Sequence, residues 1–143
     1  MPVELKEGKL GPGVFYNCFS LEGKITLPIN LTSVPRNLFM NCIKLKEIEA
    51  PTGYYLDEEE IDIHHNITVI GEYAFYNCSS LEGNLVLRTS LKSIKMHAFE
   101  YCVGFKTPLE IPNSLTTIEP YTFSQCWGFT KLILPESLIR LQT

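Results

Sequence analysis

The sequence predicts an α/β repeat solenoid, a short stack of about five coils with about 24 residues in each. In this fold a ladder of parallel strands forms one face, and short turns, 3₁₀ or helical, form the other. Two observations predict it. Cysteines recur at a nearly constant interval, each with a phenylalanine three residues before it, and the apolar positions between them repeat in the same order. A period between about 20 and 50 residues indicates a solenoid, a propeller or an array.

The positions of these residues define the coils. The phenylalanines are Phe15, Phe39, Phe75, Phe99 and Phe123, and the cysteines are Cys18, Cys42, Cys78, Cys102 and Cys126. Successive cysteines are 24, 36, 24 and 24 residues apart, so one coil is 12 residues longer than the others. We therefore expect a single repeat domain over residues 1–143. It has a partial N-terminal coil or cap at 1–14, an insertion loop at 51–66 in the second coil and an incomplete last coil at 127–143.

Each coil contains two short apolar pieces that are joined by turns. The piece 85–87 alternates at period two, which predicts a strand with Leu85 and Leu87 inward and Val86 outward. A proline follows this piece in several coils and marks the end of the strand, because it has no amide hydrogen for a ladder. The segment Ala98-Phe99-x-x-Cys102 spaces its apolar residues as a single helical or 3₁₀ turn does. One coil cannot cover its own apolar face, so the coils must stack to form a core.

The repeated unit Cys-x-x-Leu-x-x-x-apolar-x-apolar-Pro-x-x-Leu-x-x-Ile-x-x-x-Ala-Phe resembles the BspA-like, or Treponema-type, leucine-rich repeat. The resemblance extends from about Leu10 to Leu141, and the segment from Ile70 to Leu81 matches best. It implies a leucine-rich-repeat stack of parallel strands that recognises proteins, often on microbial surfaces. The chain departs from the pattern in its short array, its insertion and the lack of a visible leader.

Charge and hydropathy exclude two classes of interaction. The net charge is −4 and no run of Lys or Arg occurs, whereas a general binder of phosphate backbones needs a clustered basic face. No apolar stretch approaches the roughly 18 residues of a membrane-spanning helix. We therefore expect no nucleic acid partner and no membrane insertion. Without a secretory signal at its start, the chain as it stands predicts a cytoplasmic protein, or a surface or secreted one if a leader was removed.

The five cysteines are expected to be structural free thiols. All share one inward position of the coil, where a thiol acts as a small buried hydrophobe. Five is an odd number, and parallel side chains of a ladder do not suit the Cβ–Cβ distance of about 3.8 Å in a disulfide. Free thiols also fit a reducing cytosol. Zinc sites use clustered ligands such as C-x-x-C, and these thiols are a full coil apart.

The insertion loop carries the side chains that could bind a metal ion. His64 and His65 lie close to Asp62 and to the acidic run 58–60, and together they could hold a divalent cation. The interpretation we favour is a solvated acidic loop that returns to the solenoid through two isoleucines, with no metal and no cofactor.

The same insertion is also a candidate binding element. Insertions in repeat proteins fall on one face of the stack, and this is often the binding face. Tyr54 and Tyr55 are the side chains of the loop that could anchor a partner, because tyrosine combines a large apolar ring with a polar tip.

No motif predicts catalysis. The sequence contains no G-x-S-x-G elbow, no glycine-rich phosphate loop and no H-E-x-x-H. His97 stands where other coils have Tyr73 or Tyr121, so we expect an exposed structural position for it and not a catalytic base. An active site needs convergent titratable groups, and the sequence shows none. We expect no catalytic residue and no enzyme.

Two stripes of the repeat are predicted to face outward and bind a partner. The first contains the outward residues of the strand ladder, which are Thr26, Glu49, Val86, Glu110 and Ile133. Its mixed charged and apolar character suits protein recognition, and an ordinary solvated sheet face is the alternative. The second contains the residues that follow the cysteines, including Phe19, Ile43, Val103 and Trp127. That row is more apolar than solubility requires.

Together these features predict a non-enzymatic protein-binding module that uses its solenoid faces and its insertion loop. Two versions stay open, a small intracellular or phage-type inhibitor of one protein and a fragment of a microbial surface adhesin. A metal-dependent enzyme at the insertion loop is a remote alternative. The apolar C-terminal face, with Leu132, Leu134 and Ile139, further predicts self-association as a homodimer or pairing with sequence beyond this chain.

Overall fold

The computed structural model describes residues 3–4, 10–28, 30–49, 60–63, 66–138 and 140–141. Within them it contains short strands and no helix. The strands are β1 (Val3–Glu4), β2 (Gly23–Thr26), β3 (Ser33–Val34), β4 (Leu45–Glu49), β5 (Glu60–Ile63), β6 (Val69–Ile70), β7 (Asn84–Leu87), β8 (Ser93–Ile94), β9 (Leu109–Glu110), β10 (Thr117–Ile118), β11 (Leu132–Ile133) and β12 (Arg140–Leu141). A search of the described residues finds no helix that could span a membrane.

The strands form two rows along the stack, and every pair is parallel. The first row, which we call the strand face, is hydrogen-bonded as β1-β2-β4, β5-β7 and β9-β11. The second row is hydrogen-bonded as β3-β6-β8 and β10-β12. Register keeps equivalent coil positions in line, since Ile25 lies beside Ile48 and Ile70 beside Ile94. The predicted solenoid with a parallel strand ladder is confirmed.

Tight turns surround the repeated phenylalanine of each coil. The residues two before and two after it adopt left-handed backbone conformations, with φ between 55° and 67°, and they form the pairs Gly13 and Asn17, Asn37 and Asn41, Tyr73 and Asn77, His97 and Tyr101, and Tyr121 and Gln125. The sequence predicts a short turn at this place, and the structure has one, with an i→i+3 hydrogen bond from Cys102 N to Phe99 O at 3.2 Å. A residue with positive φ cannot continue a right-handed turn. The backbone therefore leaves each turn in a new direction.

These turns bond one coil to the next. Asn37 N donates to Glu72 O at 2.9 Å, Phe39 N donates to Ala74 O at 2.8 Å, and the amide two residues later donates in the same way. The same three bonds occur at each of the four steps between the described turns. We call this set the turn ladder. Its donors always belong to the coil nearer the N-terminus, so the ladder has a direction along the stack.

A stack of phenylalanine rings runs through the core beside the turn ladder. The five rings, from Phe15 to Phe123, follow one another at centroid distances of 5.0 to 5.6 Å with nearly parallel planes. The three middle rings are fully buried. Such ring pairs contribute about 0.5–1.5 kcal/mol beyond the burial of their area. The stack and the ladder therefore hold the same coil steps together.

The insertion adds a strand to the strand face. Its residues 60–63 form β5, which pairs with β7 so that Asp62 lies beside Val86. The amide of Glu82 donates to Lys46 O at 3.2 Å, so the flanking coils touch directly just before β7 begins. β5 is therefore a wedge between β4 and β7, while the turn ladder remains closed.

This wedge differs from the loop that the sequence predicts for residues 51–66. Ile61 and Ile63 are in register with Leu85 and Leu87 of β7, and their period-two spacing is that of a strand. The alternation was visible in the sequence, but its pairing with another coil depends on the stack. Residues 51–59, 64 and 65 lie outside the described part of the chain.

We expect Phe99→Ala to lower the free energy of unfolding by about 3–5 kcal/mol, because it removes a fully buried ring and leaves a cavity between two others. Urea denaturation measures the change. Val103→Ala is the control in the same coil, since this side chain is 40% exposed and should cost no more than about 0.5 kcal/mol. Equal losses for the two variants would contradict a core that depends on the ring stack.

Deletion of residues 52–63 should lower the melting temperature by at least about 4 °C, because β7 loses its hydrogen-bonded neighbour. The control replaces residues 52–59 with glycine and serine and retains β5, and we expect it to melt as the parent does. Differential scanning calorimetry compares the three proteins. A deletion variant as stable as the parent would show that β5 does not support the fold.

Candidate binding surfaces

The structure places the residues of the first predicted stripe side by side on the strand face. Register pairs Thr26 with Glu49 on β2 and β4, and Glu110 with Ile133 on β9 and β11. Asp62 of β5 lies in register with Val86, which adds a position that the sequence analysis did not include. The stripe thus crosses the whole strand face, with one acidic residue more than predicted.

Burial on β7 and β9 follows the predicted alternation. Leu85 and Leu87 are buried and Val86 between them is half-buried. Leu109 is buried whereas Glu110 beside it is exposed. The outward side chains Val86 and Glu110 are therefore at least partly accessible, because the leucines on either side hold β7 and β9 to the core.

An open recess of about 1150 Å³ lies over β7, β9, β11 and the turns that follow them. Apolar groups and several polar side chains share its lining, which includes Val86, Ile133, Pro112, Arg88, Glu110 and Glu136. At its edge Thr107 Oγ1 donates to Asn84 Oδ1 at 3.1 Å and ties β7 to the start of β9. The recess therefore offers both apolar contact and hydrogen-bonding groups.

Exposed ion pairs lie on the part of the strand face nearer the N-terminus. Lys24 Nζ lies 3.2 Å from Glu47 Oε2, and Lys46 Nζ lies 3.8 Å from Glu82 Oε1. All four side chains are at least one-third exposed, and exposed pairs contribute about 0–1 kcal/mol. They determine the charge pattern of the face more than its stability.

The second predicted stripe is apolar but uneven. Trp127 is 81% exposed and Phe19 52%, whereas Ile43 and Ser79 in the middle coils are half-buried. The large accessible side chains therefore lie toward the two ends of this row. Exposed apolar groups of this size are candidates for partner contact.

His97 does not occupy the exposed position that the sequence analysis expects. Its ring lies between the rings of Tyr73 and Tyr121, at centroid distances of 4.5 and 4.9 Å and with planes within 8°. His97 Nδ1 is 2.5 Å from Glu100 Oε2, and only 19% of the His97 side chain is accessible. Stacking covers both faces of the imidazole, so this residue is structural but mostly buried.

Sequence reasoning missed this ring stack, although a signal was present. Tyr73, His97 and Tyr121 are 24 residues apart, which puts one ring in each successive coil. All three have positive φ, a conformation that asparagine and glycine adopt more readily. The three residues whose rings stack are therefore the same three that adopt this unfavourable backbone conformation.

All five cysteines are free thiols, as predicted. The last four donate from Sγ to the phenylalanine carbonyl of the preceding coil, at 2.9 to 3.1 Å. Burial raises the pKa of Cys42 and of Cys126 to about 12, and it raises the pKa of Cys78 and of Cys102 well above the ordinary value. These thiols are protonated hydrogen-bond donors and poor nucleophiles.

Within the described residues, no group of three or more His, Cys, Asp or Glu side chains could hold a metal ion. The candidate ligands His64 and His65 lie outside those residues, as do the candidate anchors Tyr54 and Tyr55. The side chains of Glu49 and Asp62 lie outside them as well, although their strands are described.

The sequence matches the family model of the BspA type leucine rich repeat region in six copies, over residues 8–55 and 53–143. The chain belongs to this family. The match covers nearly the whole sequence and extends through the insertion, so the long second coil is part of the repeat array. A search of curated proteins found no match.

Solved structures share the fold. A leucine rich cell surface protein from Faecalibacterium prausnitzii superposes with a TM-score of 0.79 at 24% identity, covering 98% of this chain and 37% of that one. The Treponema pallidum leucine rich repeat protein gives 0.73 at 25% identity, covering 99% and 72%. A leucine-rich repeat protein from Bacteroides ovatus gives 0.69 at 28% identity, covering 99% and 39%. The chain thus spans just over a third of two of these proteins.

The thiols predict that stability falls as the pH rises above about 9. In the unfolded chain they ionise near the ordinary thiol pKa of 9.0, whereas folded Cys42 and Cys126 retain their protons to a pKa of about 12. Because the pKa of each thiol is higher in the folded protein than in the unfolded chain, the thiols stabilise the folded state below pH 9. This contribution to the free energy of unfolding is lost between pH 9 and 12. Urea denaturation across this range measures the loss. The variant with Cys42→Ala and Cys126→Ala should lose less stability, and an equal loss would contradict the assignment.

Proposed function

We propose that this protein is a non-enzymatic module that binds another protein through the recess on its strand face. The observation that supports this most directly is the lining of the recess, where Val86 and Ile133 lie among Arg88, Glu110 and Glu136. Protein interfaces combine an apolar centre with a polar rim. Membership of the BspA-type repeat family supports the same proposal.

The shape of the recess favours a macromolecule over a small ligand. It is open and extends over three strands, whereas small-molecule sites are concave pockets that enclose most of the ligand. Its charged side chains have both signs, so it lacks the basic face that a nucleic acid requires. An extended segment or a convex surface of a partner protein fits these dimensions best.

We also propose that the stripe with Phe19, Ile43, Val103 and Trp127, together with Tyr54 and Tyr55 of the insertion, contributes a second contact. Of these, the exposure of Phe19 and Trp127 gives the strongest support. Recognition at a microbial surface, the adhesin version, is the setting that the family implies. An intracellular inhibitor of one target is the alternative, and the identity of the captured partner distinguishes the two.

The test compares partner capture by variants of the two surfaces. We expect the variant with Val86→Glu and Ile133→Glu to bind at least about tenfold more weakly, because it places charges in the centre of the recess. Trp127→Glu alters only the proposed second contact, so it should weaken binding less than the variant of the recess does. Surface plasmon resonance with the captured partner gives both affinities. Loss of binding by Trp127→Glu alone would assign recognition to the second stripe and contradict the proposal.

A further inference from the structure

The strand face is interrupted between β7 and β9. In the sheets β7 is hydrogen-bonded to β5 and β9 to β11, but β7 and β9 are not paired with each other. At the next step Leu109 N donates to Lys131 O at 2.8 Å, whereas the equivalent amide of Leu85 makes no such bond to the coil of β9 among the described residues. The second row is also interrupted at this step, between β8 and β10. Unlike the break between β4 and β5, this one has both its sides in the continuously described range 66–138, and we call it the slot.

Pro108 accounts for part of this interruption. It stands immediately before β9 and has no amide hydrogen to donate toward β7. Thr107 Oγ1 donates instead to Asn84 Oδ1 at 3.1 Å, so side chains and not backbone groups join the two coils there. Leu85 and Leu87 are buried, and buried amides are almost always hydrogen-bonded. The edge of β7 that faces the slot therefore lacks the hydrogen-bonding neighbour that its other edge has in β5.

The insertion shows how this scaffold accommodates an additional strand. β5 lies between β4 and β7 on the strand face and pairs with β7. The coils on either side of β5 nevertheless stay in contact at both ends of the strands. Glu82 N donates to Lys46 O at 3.2 Å before β7, and Phe39 N donates to Ala74 O at 2.8 Å in the turn ladder. A strand can therefore enter the face without opening the turn ladder.

The slot has boundaries of the same kind. In the turn ladder Phe99 N donates to Thr122 O at 2.9 Å. Before β9 the two coils touch so closely that a Cβ atom added to Gly104 would lie 2.1 Å from Leu81 O. The slot is thus closed at both ends by contacts between the coils, as the place of β5 is, but no strand of the described part of the chain fills it.

From these observations we propose that the partner inserts an extended segment into the slot as a parallel strand, in the manner of β5. This inference rests on the proposed function, because the recess lies over β7 and β9, and it assigns strand addition as the mode of binding. The hydrogen bonds follow the pattern of the step from β9 to β11. Carbonyls of outward residues of the segment accept from Leu85 N and Leu87 N. Amides of its inward residues donate to Pro108 O and Glu110 O.

The side chains around the slot specify the chemistry of the segment. Its inward residues must be apolar, because they come between the buried leucines of β7 and β9, and β5 has isoleucines at the two equivalent positions. Its central outward residue lies between Val86 and Glu110. Glu110 is exposed, and no cation pairs with it among the described residues. A lysine or arginine at this position covers Val86 with its apolar stem and pairs with Glu110. The segment therefore reads apolar, basic, apolar.

The test uses the full chain and a labelled, end-capped peptide with the sequence Thr-Ile-Lys-Ile-Thr. Fluorescence polarisation gives the affinity. We expect the same peptide with both isoleucine amides methylated to bind at least about tenfold more weakly, because it keeps its side chains and charge but cannot donate to β9. Glu110→Gln should weaken binding of the unmethylated peptide by about threefold or more. It should leave unchanged the binding of a peptide with norleucine in place of the lysine.

A disulfide lock tests whether the slot must open. Thr89 and Asn113 are exposed and occupy equivalent positions after β7 and β9, so the variant with Thr89→Cys and Asn113→Cys can join the two coils beside the slot. Mass spectrometry shows whether the bond has formed. We expect the oxidised variant to lose at least about tenfold in affinity for the peptide, and the same protein to regain it on reduction.

Hydrogen exchange followed by NMR gives a readout that does not depend on any substitution. At a saturating concentration of the peptide, the amides of Leu85 and Leu87 should exchange at least about tenfold more slowly, because they gain acceptors. The amide of Phe39, which already donates to Ala74 O in the remote part of the turn ladder, should exchange at the same rate with and without the peptide.

Three results would overturn strand insertion: no binding of the peptide, equal binding of its methylated form, or unchanged exchange at Leu85 and Leu87 in the saturated complex. The proposed function is tested separately by the captured partner. A partner that loses affinity for the variant with Val86→Glu and Ile133→Glu, but binds the oxidised lock as tightly as the reduced one, would support recognition at the recess and contradict insertion into the slot.

Discussion

The fold depends on hydrogen bonds that a coil cannot make within itself. A turn with left-handed residues on both sides of its phenylalanine directs alternate amides out of the coil, and buried amides need acceptors. The acceptors are carbonyls of the next coil, as in the bond from Phe75 N to Ala98 O at 2.8 Å. Because each coil completes its neighbour, stability belongs to the stack and not to the single repeat.

The regular spacing of the other core contacts follows from this ladder. Once the turns are in register, equivalent side chains of successive coils lie one above another. The phenylalanine rings then stack, the four cysteines after Cys18 reach the phenylalanine carbonyl of the coil before, and the rings of Tyr73, His97 and Tyr121 lie parallel. These three sets of contacts share one register, so a disturbance in one coil step affects all of them.

The insertion shows how the array varies its surface without breaking its core. β5 widens the strand face next to β7, while the turns of Phe39 and Phe75 remain bonded and their rings stay 5.6 Å apart. The recess begins at β7, on the C-terminal side of this wedge. The inward positions hold the core together, so the outward residues of this face can differ without loss of the fold, which is typical of surfaces on a repeat scaffold.

The sequence by itself determined the solenoid, its period, the inward cysteines and the alternation on strands such as β7. These features depend on apolar spacing within one coil, and each coil repeats that information. The tertiary structure decided what depends on the neighbouring coil. Asp62 lies on the strand face because Ile61 and Ile63 are in register with Leu85 and Leu87 of another coil. His97 is mostly covered because tyrosines of two other coils stack on its faces. The direction of the turn ladder is likewise a property of the stack, since spacing alone does not reveal which coil donates and which accepts.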